Sequence, residues 1–376
     1  MATFLKARRI FTGDKMLEGH GVLIEGKRIE KVIPAKSAPH DAVTLDLGPA
    51  LLAPGFIDIQ VNGGGGVNLN DTPTAAGVRQ MAKAHRKFGT TGMLPTVITD
   101  TPDIQRRAAQ AVKEAMAGDT PEVLGIHIEG PFLDPARKGA HDPKLIRTMT
   151  LEDEDWLHGL SCGQILVTVA PNKVQPEQIR RLHQAGILVS LGHAEATSVD
   201  IQTALSAGAS CFTHLFNAMS QLGPREPGMV GVALMDAQSF VGLIADGFHV
   251  NEQVLKLVYG VKPHEKMILV TDAMLPAAGG PDRFDLQGRE VTARNGRLEL
   301  ADGTLAGSNL TMDEAIRFCV ERLRWPLEDV LRMASANPAT FLGMEHRLGR
   351  IAPGFTASLV ALDEKMNVMQ TWVEGQ

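Results

Sequence analysis

Apolar positions along this chain come in two textures. Up to about residue 52 they form short runs broken by glycine turns, FLKARRIF, GVLIEGKRIEKVI and VTLDLG, with no helical period between them. Residues 346–376 have the same texture in GRIAPGFTASLVALD and NVMQTWVEG. Such runs predict strands, and two or three strands at either end need a partner surface to be stable. The pattern therefore predicts one small β-sandwich domain from residues 1–52 plus 346–376, with a larger domain, 53–345, inserted between them.

The middle of the chain alternates differently. Strand-like runs fall at Phe56–Val61, Gly92–Ile98, Val123–Ile128, Ile165–Val169, Ile187–Leu191, Cys211–Leu215, Phe240–Ala245 and Met267–Thr271. Amphipathic stretches such as Thr74–Phe88, Asp103–Ala117, Pro176–Gln184 and Val199–Ala207 lie between them. A repeated strand–helix rhythm implies a parallel sheet, and eight units imply a closed (β/α)8 barrel of the TIM type. The fold class is thus α/β. Between the eighth strand and a helix at Met312–Arg322, the text of Pro276–Thr304 (FDLQGREVTARNGRLEL) predicts a β-hairpin insertion.

Composition narrows the class without changing it. The 376 residues carry 37 basic and 43 acidic side chains, a net charge of −6, and 44% are hydrophobic. That is the make-up of an ordinary globular protein, and its mild acidity argues against nucleic acid or an anionic membrane as partner. No run of ~18 apolar residues is present to span a bilayer. The amino terminus interleaves basic and apolar residues and does not read as a secretory leader. Cys162, Cys211 and Cys319 lie far apart, which speaks against thiolate zinc fingers and disulfides and for a cytoplasmic location.

Chemistry-bearing residues collect at the carboxyl ends of the barrel strands, where barrels of this type place their active sites. Strand one ends in Asp58, Gln60 and Asn62, strand three in His127 and Glu129, and strands five and six in His193 and His214. Strand seven ends in Asp246 with His249 beyond it, and strand eight in Asp272. Singly, each has an ordinary reading as a cap or a hydrogen-bonded core residue. Together, two imidazoles and a carboxylate leave one position open, as at a catalytic zinc, and a nearby Asp supplies a proton acceptor. Zinc is the first choice, with iron, manganese or cobalt left open. His127 shares the face of Glu129 but reads as a residue of a lower barrel layer. The run Gly63–Gly66 reads as a flexible loop rather than a phosphate-binding one.

APGFIDIQVNG, HIEGPF followed by KGAH, SLGHAEA, THLFNAM, GLIADGFHV, LVTDAM and LAGS occur in this order through the chain. Together they resemble the N-acetylglucosamine-6-phosphate deacetylases, a branch of the amidohydrolase superfamily. The resemblance implies metal ligands at Glu129, His193 and His214 and a catalytic Asp272. It implies substrate contacts at Ala140, Asn217, Ala218, Arg225, His249 and the Leu305-Ala306-Gly307 run, with His141 polarising the scissile carbonyl. It further implies a homodimer in which His249 reaches the neighbouring subunit's site. Many amidohydrolases carry His-x-His on strand one and bind two metals, whereas this chain has Gln60-Val61-Asn62, and amides are poor zinc ligands. One divalent metal per chain is expected, with Gln60 and Asn62 as the contacts of any second metal or of water. The implied reaction is hydrolysis of N-acetyl-D-glucosamine 6-phosphate to the amine and acetate. A metal-activated water attacks, Asp272 acts as base and then acid, and the setting is amino-sugar catabolism and recycling. The galactosamine isomer as substrate, or a non-catalytic sugar-phosphate-binding protein, are the alternatives.

Overall fold

A computed structural model describes residues 2–376. Eight parallel strands form the central sheet: Phe56–Val61, Thr90–Ile98, Gly125–Glu129, Gln164–Val169, Leu188–Leu191, Cys211–Phe212, Phe240–Leu243 and Met267–Leu269. They are hydrogen-bonded in chain order, and the last meets the first through a parallel bridge between Val61 and Ala273. Near that seam the buried Asp58 accepts from Thr271 Oγ1 at 2.5 Å. The sheet thus rolls up into the expected barrel. Strand one is buried throughout, so its apolar and polar side chains alternate between the helical layer and the barrel interior.

Helices cover the outside of the barrel. Ala75–Arg86, Pro102–Ala117, Pro176–Gln184 and Ser198–Ser206 lie within two residues of their predicted bounds. Threonine explains several starts: Thr74, Thr101 and Thr197 each accept from a backbone N–H in the first helical turn. Helix Gly228–Met235 gave no amphipathic signal because nearly all of it is buried. Lys262, itself buried, donates to the Ala233 and Asp236 carbonyls at the end of that helix.

Residues from both chain ends form two further sheets. One holds Thr3–Lys6, His20–Glu25, Arg28–Pro34 and Val43–Asp46; the other runs in the order Val368–Trp372, Leu359–Leu362, Leu51–Pro54, Arg9–Phe11 and Met16–Glu18. Leu5, Val22 and Ile29 of the first share a core with Ile10, Leu52, Leu359 and Trp372 of the second.

The insertion differs from its prediction. It is a four-stranded antiparallel sheet (Arg283–Leu286, Arg289–Arg294, Arg297–Leu300 and Leu305–Ser308), not a single hairpin. Its fourth strand lies wholly past Thr304, paired with Arg297–Leu300, and Ser308 also bridges to Ala273, just beyond the eighth barrel strand. Phe284, Leu286, Val291, Leu298 and Ala306 make its core and pack on Ile98 and Met274 at the mouth of the barrel. The glycine run also departs from expectation. Gly63–Gly64 pairs with Val67–Asn68, and the N–H groups of Gly65 and Gly66 reach the carbonyls of Ala277 and Leu275 at 2.7 and 3.1 Å. A Cβ on Gly63 would stand 2.3 Å from Asn68 Oδ1, so glycine here allows close approach, not looseness.

Candidate active site

The C-terminal end of the barrel and the insertion sheet enclose a cavity of about 500 Å³. Of the residues singled out in the sequence, Asn62, Glu129, Ala140, His141, His193, His214, Asn217, Ala218, His249, Asp272, Leu305, Ala306 and Gly307 line it. Gln60 and Arg225 do not.

Glu129 ends the third strand, paired with Ile98 on one side and Thr168 on the other. His193, His214 and Asp272 stand two to three residues past the fifth, sixth and eighth strands. All three adopt left-handed backbone, with φ of 48°, 31° and 52°. Such a conformation costs a side-chain-bearing residue about 1–3 kcal/mol and gathers at functional sites. Hydrogen bonds hold it in place: Asp272 N–H donates to Gln60 O at 3.0 Å, and Asp134 N–H to His193 O at 2.9 Å. The bend turns the chain out of the ladder and directs the side chain across the barrel mouth. It also explains why strand six ends at Phe212 rather than at Leu215.

Glu129 Oε1 lies 3.2 Å from His193 Nε2 and 3.0 Å from His214 Nε2, and the two nitrogens are 3.0 Å apart. His193 Nδ1 faces the Arg137 carbonyl at 3.0 Å, which can only accept, so Nδ1 carries the ring proton. In the neutral ring, Nε2 is then a bare lone pair facing another imidazole nitrogen and a carboxylate. A carboxylate and two imidazole nitrogens converging on one buried point are the ligand atoms a cation draws together. The set fits a divalent metal ion.

Gln60 and Asn62 use their amides on carboxylates. Gln60 Nε2 donates to both oxygens of Glu129 at 3.2 Å and to Asp272 Oδ1 at 3.1 Å, and Asn62 Nδ2 donates to the same Oδ1 at 2.7 Å. Asp272 Oδ2 is left without a partner among the described residues, next to the cavity. Burial, together with the Glu129 charge, pushes the Asp272 carboxyl up to about 6. Burial alone would raise Glu129 too, but its two imidazole partners hold it well below the usual range. His127 sits one layer down, as its position in the strand suggested, with Nε2 2.7 Å from Thr168 Oγ1. Burial drives its basicity down to about 4.

His249 lines this chain's own cavity, and its Nδ1 lies 2.7 Å from Asp246 Oδ2, which orients the ring. The Asn217 N–H is already given to His214 O at 3.0 Å, so of that backbone pair only the Ala218 N–H is free among the described residues. Arg225 is exposed on the loop between Ser220 and Gly228, outside this chain's cavity. A local cause is visible. Glu226 accepts from the Ser198 and Gly228 N–H groups at 2.8 and 3.1 Å and ties the loop to a neighbouring helix.

Thr99, Gln287 and Arg289 carry no mark in the sequence pattern, yet they hold the loops and the ring of His141 that border the cavity. Arg289 Nη2 donates to the Ala140 carbonyl at 2.6 Å and Gln287 Nε2 to the Thr99 carbonyl at 2.8 Å, so the insertion grips two loops of the site. Both partners are main-chain atoms, which leave no residue-type signal.

A profile of the amidohydrolase family matches residues 51–376, and one of the NagA composite domain matches residues 5–52. An N-acetylgalactosamine-6-phosphate deacetylase from Shewanella sp. (strain ANA-3) is 43% identical over 86% of this chain and 82% of its own length. An N-acetylglucosamine-6-phosphate deacetylase from Haemophilus influenzae is 35% identical over 98% and 97%. The crystal structure of N-acetylglucosamine-6-phosphate deacetylase from Pasteurella multocida matches with a TM-score of 0.97 at 34% identity, covering 100% of this chain and 99% of that one. The chain belongs to the amidohydrolase family, in the branch formed by these amino-sugar-phosphate deacetylases.

Proposed function

We propose that this protein hydrolyses the acetamide of N-acetyl-D-glucosamine 6-phosphate, releasing acetate and D-glucosamine 6-phosphate. The observation that carries the reading is the convergence of Glu129, His193 and His214 on one point of a cavity that Asp272 also faces. A divalent cation held by those three residues supplies Lewis acidity for water and for the amide carbonyl. We take it to be one ion per chain, zinc by preference, because the Gln60 and Asn62 amides are engaged with carboxylates.

Asp272 Oδ2 accepts a proton from the attacking water as its oxygen bonds to the carbonyl carbon. Gln60 and Asn62 hold the other oxygen of Asp272 and so fix its direction. His141 faces the carbonyl oxygen as negative charge gathers there. Asp272 then hands its proton to the sugar nitrogen, the C–N bond breaks and acetate leaves. Ala218 N–H and His249 suit the phosphate, as a backbone donor and an oriented ring. Arg225 completes that set only if it comes from a second subunit. We therefore propose a homodimer in which Arg225, not His249, crosses between subunits. The terminal sandwich (1–52 plus 346–376) and the barrel (53–345) are the two units we assign to the chain. The three unpaired, buried cysteines suit a cytoplasmic setting.

A specific observation favours a second reading. Identity is 43% to a deacetylase named for the galactosamine isomer and 35% to one named for the glucosamine isomer. The deciding experiment is acetate release from both N-acetylhexosamine 6-phosphates, with metal content measured on the same sample. Faster release from the glucosamine compound supports the first reading, and the reverse order the second. No release from either would sink both.

A further inference from the structure

Thr99, just past the second barrel strand, faces the ring of His141 with two groups. Its Oγ1 lies 2.8 Å from Nδ1, and its backbone N–H is directed at the same nitrogen at 3.4 Å. A backbone N–H can only donate, so the nitrogen it faces is a lone pair. The hydroxyl, free to rotate, donates there as well; its other acceptor, the Glu129 carbonyl, is 3.5 Å away. With Nδ1 accepting, the proton of the neutral ring sits on Nε2. That atom has no hydrogen bond among the described residues, and the ring lines the cavity.

The surroundings hold this arrangement from three sides. Gly130 has φ +85°, and a Cβ there would stand 2.2 Å from Thr99 Oγ1, so glycine makes the room the hydroxyl occupies. Gln287 of the insertion sheet takes the Thr99 carbonyl at 2.8 Å. Arg289 takes the Ala140 carbonyl at 2.6 Å, immediately before His141.

We propose that Thr99 is a positioning residue that fixes His141 as its Nε2–H tautomer, so that an N–H rather than a lone pair faces the acetamide oxygen. The role assigned to Thr99 rests on the proposed deacetylase activity. A donor in that place strengthens as the carbonyl oxygen gains charge, whereas the other tautomer would oppose it. The loss on removing Thr99's hydroxyl therefore falls on kcat rather than KM.

The test uses zinc-loaded protein with ¹⁵N-labelled histidine, in which nitrogen chemical shifts separate protonated from bare ring nitrogens. His141→Gln identifies the two resonances of this ring. In the unmodified protein Nδ1 is expected bare and Nε2 protonated. Thr99→Val should give a mixture of tautomers and lower kcat by about 10- to 100-fold, less than deleting an oxyanion donor outright, with KM changed by no more than about threefold. Thr99→Ser, which keeps the hydroxyl, should return kcat to within about threefold. A protonated Nδ1 in the unmodified protein overturns the proposal. So does a Thr99→Val variant with kcat intact or only KM altered, or a serine variant as slow as the valine one. Should the unmodified protein release no acetate from either sugar phosphate, the deacetylase reading falls, and with it the role of Thr99 in that reaction. The nitrogen spectrum would still decide the tautomer by itself.

Discussion

The carboxylate–imidazole cluster and the proposed phosphate contacts of the cavity are built by different means. In the cluster, Glu129 stands on a barrel strand, and His193, His214 and Asp272 stand at left-handed bends just beyond theirs, all of them buried. Among the contacts we propose for the phosphate, Ala218 and His249 come from loops, and the arginine that the resemblance assigns there lies exposed and outside the wall. Bond-making chemistry needs atoms placed within fractions of an ångström, and a closed sheet supplies that rigidity. Anchoring a phosphate needs charge and a few donors, which loops can supply and a neighbouring subunit can complete.

The sharpest break between the two is metal removal. Chelation should abolish turnover, and restoring about one equivalent of zinc per chain should recover it, because only one complete ligand set is present among the described residues. Elemental analysis finding two ions that resist exchange would contradict the role of Gln60 and Asn62 as partners of carboxylates rather than of a second metal. Next in size is Asp272→Asn, which keeps the shape and removes the proton acceptor. General acid–base work amounts to ~10²–10⁴-fold, and one residue serving both transfers should show the upper end of that range. Metal content should be unchanged; a variant keeping a tenth of turnover would mean that another group is the base.

The proposed phosphate contacts should respond more mildly and more selectively. Arg225→Ala should lower kcat/KM for the sugar phosphate by ~10–100-fold, the scale of one charge-assisted hydrogen-bonding group, with little effect on the free sugar. Arg225→Lys should recover part of this, since a point charge cannot match a planar fork. Mixing also separates the two. If Arg225 crosses between subunits, Asp272→Asn and Arg225→Ala proteins combined should form mixed dimers with one intact site each. Activity of the mixture would then exceed the mean of the two alone. A mixture no better than that mean would place Arg225 in its own subunit's site or in none.

Much of the barrel was legible because its signal is local and repetitive. Apolar runs such as Phe56–Val61 and helices such as Pro176–Gln184 state their own period and bounds. Helix Gly228–Met235 was not legible, since burial on all sides erases the period. The insertion was read as strands, but its fourth strand also bridges to Ala273, a contact no local pattern records. Within the site, residue type pointed to Glu129, His193, His214 and Asp272 because His and acids at strand ends are chemically conspicuous. Gln287 and Arg289 act on main-chain carbonyls, and Thr99 is one of many threonines at strand ends, so nothing in their type announces them. For loop residues such as His249 and Arg225 the type was legible but the wall was not, because which wall a loop residue joins depends on the path of the loop, not on its composition.

Strand Leu51–Pro54 lies between Arg9–Phe11 and Leu359–Leu362. This order has a consequence for how the protein comes into being. On the ribosome residues up to Pro54 emerge with one of their sheets missing two strands. The chain that completes it follows about 300 residues later, which at ~5–20 residues per second is a delay of ~15–60 s. Throughout that interval an unpaired strand edge stands open beside a barrel that is itself still being made. Completion therefore waits for residues 359–372 to be made, and a message cut short anywhere before residue 359 yields a chain whose five-stranded sheet lacks Leu359–Leu362 and Val368–Trp372.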